Sequence, residues 1–169
     1  MPPKEISLHN LVDIDSADAV RNEVRLLTGL FLPDARMPLF ERCFYDVIRL
    51  FTGTFEGYQP CSTQYHDLRH TMDVLLATVR LLHAFFLSGR SITAQGSEVV
   101  LIAALMHDIG YIQEIGDEGT GGKYTLVHVE RSVSFFDSYA RSLGLADDAV
   151  AKGCCMITST SLAISISSI

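Results

Sequence analysis

The stretch HDLRHTMDVLLATVRLLHAFFL, residues 66–87, holds the reading on which the rest of the chain depends. Its Val74, Leu75, Leu76, Val79, Leu82, Phe85 and Phe86 follow helical spacing and cover so much of the circumference that the helix is expected to be largely buried. Gly89 closes it. Downstream, residues 97–112 read as a second buried helix, Leu126–Leu143 as an amphipathic one ended by Gly144, and 146 to about 160 as another. Upstream, Asp15 and Ser16 are cap candidates for a helix near 16–31 with the stripe Val20, Val24, Leu27 and Phe31. Pro38 suits a first helical position, and Phe40, Cys43, Phe44, Val47, Ile48 and Phe51 carry the pattern to about 52, where Gly53 and Gly57 interrupt it. Strict alternation is absent before residue 160, so the expected fold is all-α, a compact helical bundle. Residues 1–169 form one expected domain, with N-terminal helices over 1–57, a core over 58–160 and an irregular end over 161–169.

Composition supports a globular chain. Apolar residues make up 48% and charged residues 20%, the balance of a protein that folds by itself. The net charge of −7 comes without any run of lysine or arginine, which argues against duplex nucleic acid as a partner. The start, MPPKEISLHNLVDID, has neither a basic segment nor an apolar one, and the longest apolar run, VVLIAALM at 99–106, falls short of the ~20 residues that span a bilayer. A cytoplasmic protein without a membrane partner is expected. Cys43, Cys61, Cys154 and Cys155 form no C-x-x-C pair and read as reduced, mostly buried thiols. The four glycines of QEIGDEGTGGKYT, 113–125, exclude helix there and suggest a mobile, lid-like loop in which Lys123 is solvated.

Chemistry concentrates on histidine. His66 and His70 are four apart, so on a helix they would project from one face, with Asp73 and Ala77 continuing the stripe. Taken alone, such a pair is as well explained by core histidines bonded to backbone or to Asp73. His107-Asp108 follows a wholly apolar run, and a carboxylate buried there needs a partner able to offset its desolvation, for which a metal ion is a good candidate. Neighbouring helix residues diverge by about 100°, so both reach one ion only if it lies off the helix end. His128, in HVERS, begins the next helix just past the glycine loop.

The order of these residues resembles the HD-domain superfamily of metal-dependent phosphohydrolases. YHDLRHTMDV at 65–74 is similar to the Y-H-N-x-x-H-x-x-D-V segment of cyclic-nucleotide phosphodiesterases, and HDIGY follows at 107–111. The resemblance spans roughly residues 58–160. It implies that His70, His107 and Asp108 bind a first divalent ion, that Asp108 bridges to a second, and that His66 protonates the leaving alkoxide while a metal-activated water attacks phosphorus. His128 would serve the second metal or the phosphate, and Asp73 would support a ligating imidazole. Manganese, iron, nickel, magnesium or zinc suit such ligands. The implied substrate is a nucleotide-like phosphodiester or phosphomonoester.

Three departures stand out. Asp67 occupies the position of asparagine, MITSTSL at 156–162 carries no imidazole, and after Asp148 no acidic residue remains to act as a fourth protein ligand. Asp137 is explained by a pair with Arg141, and Asp147 and Asp148 by a helix first turn. A chain that stops before the fourth ligand is the preferred explanation. An apolar face left open would then favour association of copies. The alternative function is a catalytically degenerate HD-like module for ligand sensing or protein interaction.

Overall fold

The computed structural model describes residues 12–161, and expectations placed on 1–11 and 162–169 lie outside them. Six helices follow in order: α1 (Ala17–Phe31), α2 (Pro38–Thr52), α3 (Leu68–Leu87), α4 (Ala94–Met106), α5 (His128–Ser142) and α6 (Asp147–Thr158). Short 3-10 turns occupy Ile109–Tyr111 and Gly121–Tyr124. No strand occurs among the described residues, and the fold is an all-α bundle.

Local chemistry sets the ends of these helices. The Ser16 side chain accepts the Ala19 N–H and starts α1, whose Val20, Val24, Thr28 and Phe31 turn inward. Pro38 opens α2, and the amides of Leu39 and Phe40 that its first turn leaves unpaired donate to Glu98 Oε1 at 2.8 and 3.0 Å. That carboxylate belongs to α4, so one cap also docks two helices. Gly53 ends α2 at φ 72°, beside the Pro60 ring where a Cβ would collide.

Helix α4 is the central pillar. Val99, Leu101, Ile102, Ala103, Leu105 and Met106 are all buried, and α2, α3, α5 and α6 pack around it. An apolar run with no polar face is stable only in such a position. Its C-terminus therefore delivers His107 and Asp108 into the middle of the molecule.

Three expectations are corrected. Helix α3 is buried only through Thr71, Met72, Leu75, Leu76 and Val79, while Leu81, Phe85, Phe86 and Leu87 are exposed. It packs on α1 and α4, and toward its end Phe31 of α1 stacks on His83 and Leu82 touches the core while Leu81 and Leu87 stay 70% exposed. Among the described residues it is also the one helix long and apolar enough, by length and composition, to cross a membrane. The helix expected over 97–112 stops at Met106, because beyond it backbone groups bond elsewhere: Gly110 N–H donates to Ser132 Oγ, and Tyr111 N–H to Asp108 O. Of the cysteines only Cys43 is fully buried; Cys61 and Cys154 are half-buried and Cys155 is exposed.

The segment 113–125 differs as well, since it contains a 3-10 turn and is strapped down. Gln59 Nε2 donates to the Glu114 and Asp117 carbonyls, Ser62 Oγ donates to buried Gln113, and Gly121 N–H donates to Ser62 Oγ. Lys123 is exposed, as expected, with its Nζ 2.9 Å from Asp117, and the Arg131 guanidinium lies 3.7 Å from the centre of the Tyr124 ring. The expectation for the last helix stands: Asp147 and Asp148 lie in the first turn of α6, and Asp137 pairs with Arg141.

Candidate metal centre

Asp108 is 3% exposed, and four imidazoles surround its carboxylate. Oδ2 lies 2.7 Å from His66 Nδ1, 3.0 Å from His107 Nε2 and 3.4 Å from His70 Nε2; Oδ1 faces His128 Nε2 at 3.8 Å. The ligand atoms of His66, His70 and Asp108 all lie within 4.8 Å of one another. A single ion with bonds of about 2.0–2.3 Å bridges such a span. This group could hold a metal ion. His66, expected as a proton donor, belongs to it, whereas His107 joins only through the shared oxygen and His128 stands on the other side of the carboxylate.

Each side chain arrives by a different route. His70 sits in the first turn of α3, where its amide donates to the capping Asp67 Oδ1 at 2.9 Å. Asparagine caps as well as aspartate, so the departure at Asp67 leaves the cap intact and adds a negative charge beside His70. His66 lies before the cap and outside the helix, which overturns the premise of a shared helical face. It is turned inward because its carbonyl accepts from Thr63 Oγ1 at 2.6 Å and its ring stacks on Tyr111. Asp73 faces solvent and touches none of the imidazoles, so its expected supporting role is not fulfilled.

His107 and Asp108 lie just past the end of α4, as two diverging neighbours must to reach a common point. The turn that carries them is clamped by α5. Arg131 donates to the Gly110 and Ile112 carbonyls at 2.8 and 3.0 Å, and a Cβ on Gly110 would run into the His128 carbonyl. Sequence reasoning passed over Arg131 and Ser132 although both stand in the HVERS segment, and over Tyr111 although it closes HDIGY.

Tautomers give the centre its direction. His107 Nδ1 lies 2.8 Å from the Ala104 carbonyl, and His128 Nδ1 lies 2.8 Å from the Thr125 carbonyl. A carbonyl only accepts, so both rings carry their proton on Nδ1, and when neutral they aim an Nε2 lone pair at Asp108. Two lone pairs facing a carboxylate repel unless a cation lies between them. A proton or a metal ion answers that requirement, and backbone-oriented imidazoles are the usual arrangement around metals.

The ionisation shifts follow the same logic. Burial works to raise the Asp108 carboxyl, but hydrogen bonds and charge from His107 and His66 bring it down to about 2. Burial works against the His107 imidazolium, and its contact with Asp108, helped by the Ala104 carbonyl, still raises it. His70 is lowered, chiefly by burial, against the pull of Asp108. It therefore offers a free lone pair at neutral pH. A cleft of about 780 Å³, lined by Phe55, Tyr58, Arg131 and Phe135 among others, includes none of the four imidazoles. The ionisable cluster, with its unmet need for a cation, is the better guide to chemistry.

No protein-family model, no curated protein and no solved structure matches this chain.

Proposed function

We propose that the chain is an HD-type metal-dependent phosphohydrolase that cleaves a phosphodiester or phosphomonoester of a nucleotide with one or two divalent ions. One observation carries the reading: a single buried carboxylate ringed by four imidazoles, two of them held by backbone carbonyls with Nε2 toward it. The ligand atoms of His66, His70 and Asp108 suit such an ion; the resemblance assigns the first set to His70, His107 and Asp108, with His128 on the Oδ1 side. When bound, a divalent cation supplies Lewis acidity to a phosphoryl oxygen and brings the pKa of its water toward neutrality.

The chain's own groups do the remaining work. One carboxylate does not neutralise a divalent ion, so the centre attracts an anionic substrate despite the overall charge of −7. With Nδ1 turned to Asp108, His66 in its imidazolium form presents the Nε2 proton to the leaving oxygen. Tyr65, 68% exposed and with its ring centre 4.8 Å from that of His70, offers a flat surface on which a base can stack.

The test is metal analysis and hydrolysis of bis(p-nitrophenyl) phosphate by the purified protein and a His107→Ala variant. Stoichiometric metal and turnover, both lost in the variant, are expected. A second reading, a non-catalytic sensing module, rests on Asp108 being the one carboxylate of the cluster among the described residues. Metal bound without turnover of this or any nucleotide ester would favour it.

A further inference from the structure

Tyr111 is 3% exposed, and its ring stacks on two imidazoles: His66 at 4.4 Å and 18°, His128 at 4.3 Å and 20°. The two imidazoles are themselves only 5.9 Å apart, with an interplanar angle of 37°. Rings stacked on opposite faces of a phenol would be separated by at least about 7 Å, twice the spacing of stacked planes. Both imidazoles therefore lie on the same face, side by side. The phenol is a floor beneath them, and Thr125 orients His128 through its carbonyl.

These contacts join three segments distant in sequence: the loop before α3, the turn after α4 and the start of α5. His66 has no helix of its own to fix it, so the floor acts with the Asp108 contact at Nδ1 to set where its Nε2 stands relative to His128. We propose that Tyr111 is a positioning residue that sets the spacing and tilt of the His66 and His128 rings, and through them the alignment of proton donor and bound phosphate. The kinetic part of this inference rests on the phosphohydrolase reading; the geometric part does not.

The test compares the wild type with Tyr111→Phe, which keeps the floor, and Tyr111→Leu, which removes it. Imidazole protons stacked over an aromatic face resonate upfield, so wild type and Tyr111→Phe should show upfield-shifted His66 and His128 ring signals that Tyr111→Leu loses. Tyr111→Leu should keep its metal stoichiometry while kcat falls on the order of a hundredfold with little change in KM. Tyr111→Phe should restore most of the turnover. Unshifted imidazole signals in the wild type, or a Tyr111→Leu variant indistinguishable from Tyr111→Phe in spectrum and kcat, would overturn the proposal. If Tyr111→Leu fails to fold, wild-type nuclear Overhauser contacts decide: ring protons of Tyr111 must touch both imidazoles, and contact with only one refutes the shared floor. A wild type that binds metal without hydrolysing any ester sinks the phosphohydrolase reading, and the spectra still judge the floor.

Discussion

At the scale of single residues, the centre depends on matching a carboxylate that must stay charged with imidazoles that must choose their partner. His66 has two roles open to it, ligand or proton donor, and a His66→Ala variant separates them. Retained metal with turnover reduced about 10²–10⁴-fold marks the donor; joint loss of metal and turnover marks the ligand. The proposed role as donor predicts the first. A second prediction concerns acid. The Asp108 carboxyl sits at about 2 in the folded protein and near the ordinary 3.9 when unfolded. A depressed folded value stabilises above the unfolded pKa, so the metal-free protein should lose on the order of 2 kcal/mol as pH falls from about 4 through 2. Urea melts at several acidic pH values should show this for the wild type and not for Asp108→Asn; parallel pH dependence in both would contradict it. Much at this scale was legible. His70, His107, Asp108 and His128 stand out by type and spacing, but the inward turn of His66 was not, because it comes from stacking on Tyr111, 45 positions away in the chain.

At the scale of elements, periodicity found all six helices, and tertiary bonding decided where α4 ends. The apolar run through 97–106 gives no warning that α4 stops at Met106, since the cause is Ser132 and Arg131 on α5 taking the backbone groups of Gly110 and Ile112. Gly110→Ala should therefore cost about 2–3 kcal/mol through overpacking and weaken metal binding, as read by thermal melts with and without added manganese. An unchanged melting temperature would refute the close approach. Helix α3 misled in the opposite sense, because an apolar circumference says what a helix can bury and not what is there to cover it. Leu75→Ala, at 0% exposure, should cost about 2–5 kcal/mol, whereas Leu81→Gln, at 70%, should change stability by less than about 0.5 kcal/mol. Comparable losses at both positions would mean that the far end of α3 is covered in solution.

At the scale of the whole molecule, one core joins the described helices and places the turn after α4 at their common centre. Leu81, Phe85, Phe86 and Leu87 are exposed; the expectation that copies associate predicts species larger than 18.6 kDa in sedimentation equilibrium, and a monomer at every concentration would count against it. Glycine content alone suggested a mobile loop at 113–125, and the straps from Gln59 and Ser62 that hold it lie too far away in sequence to be read from it. The central claim is that the imidazoles around Asp108 gather a divalent cation. Isothermal titration of metal-stripped protein with manganese or zinc tests it most directly. Binding of one or two ions per chain that disappears in Asp108→Asn is predicted, and a wild type that takes up no metal, or a variant that binds as tightly as the wild type, would contradict it.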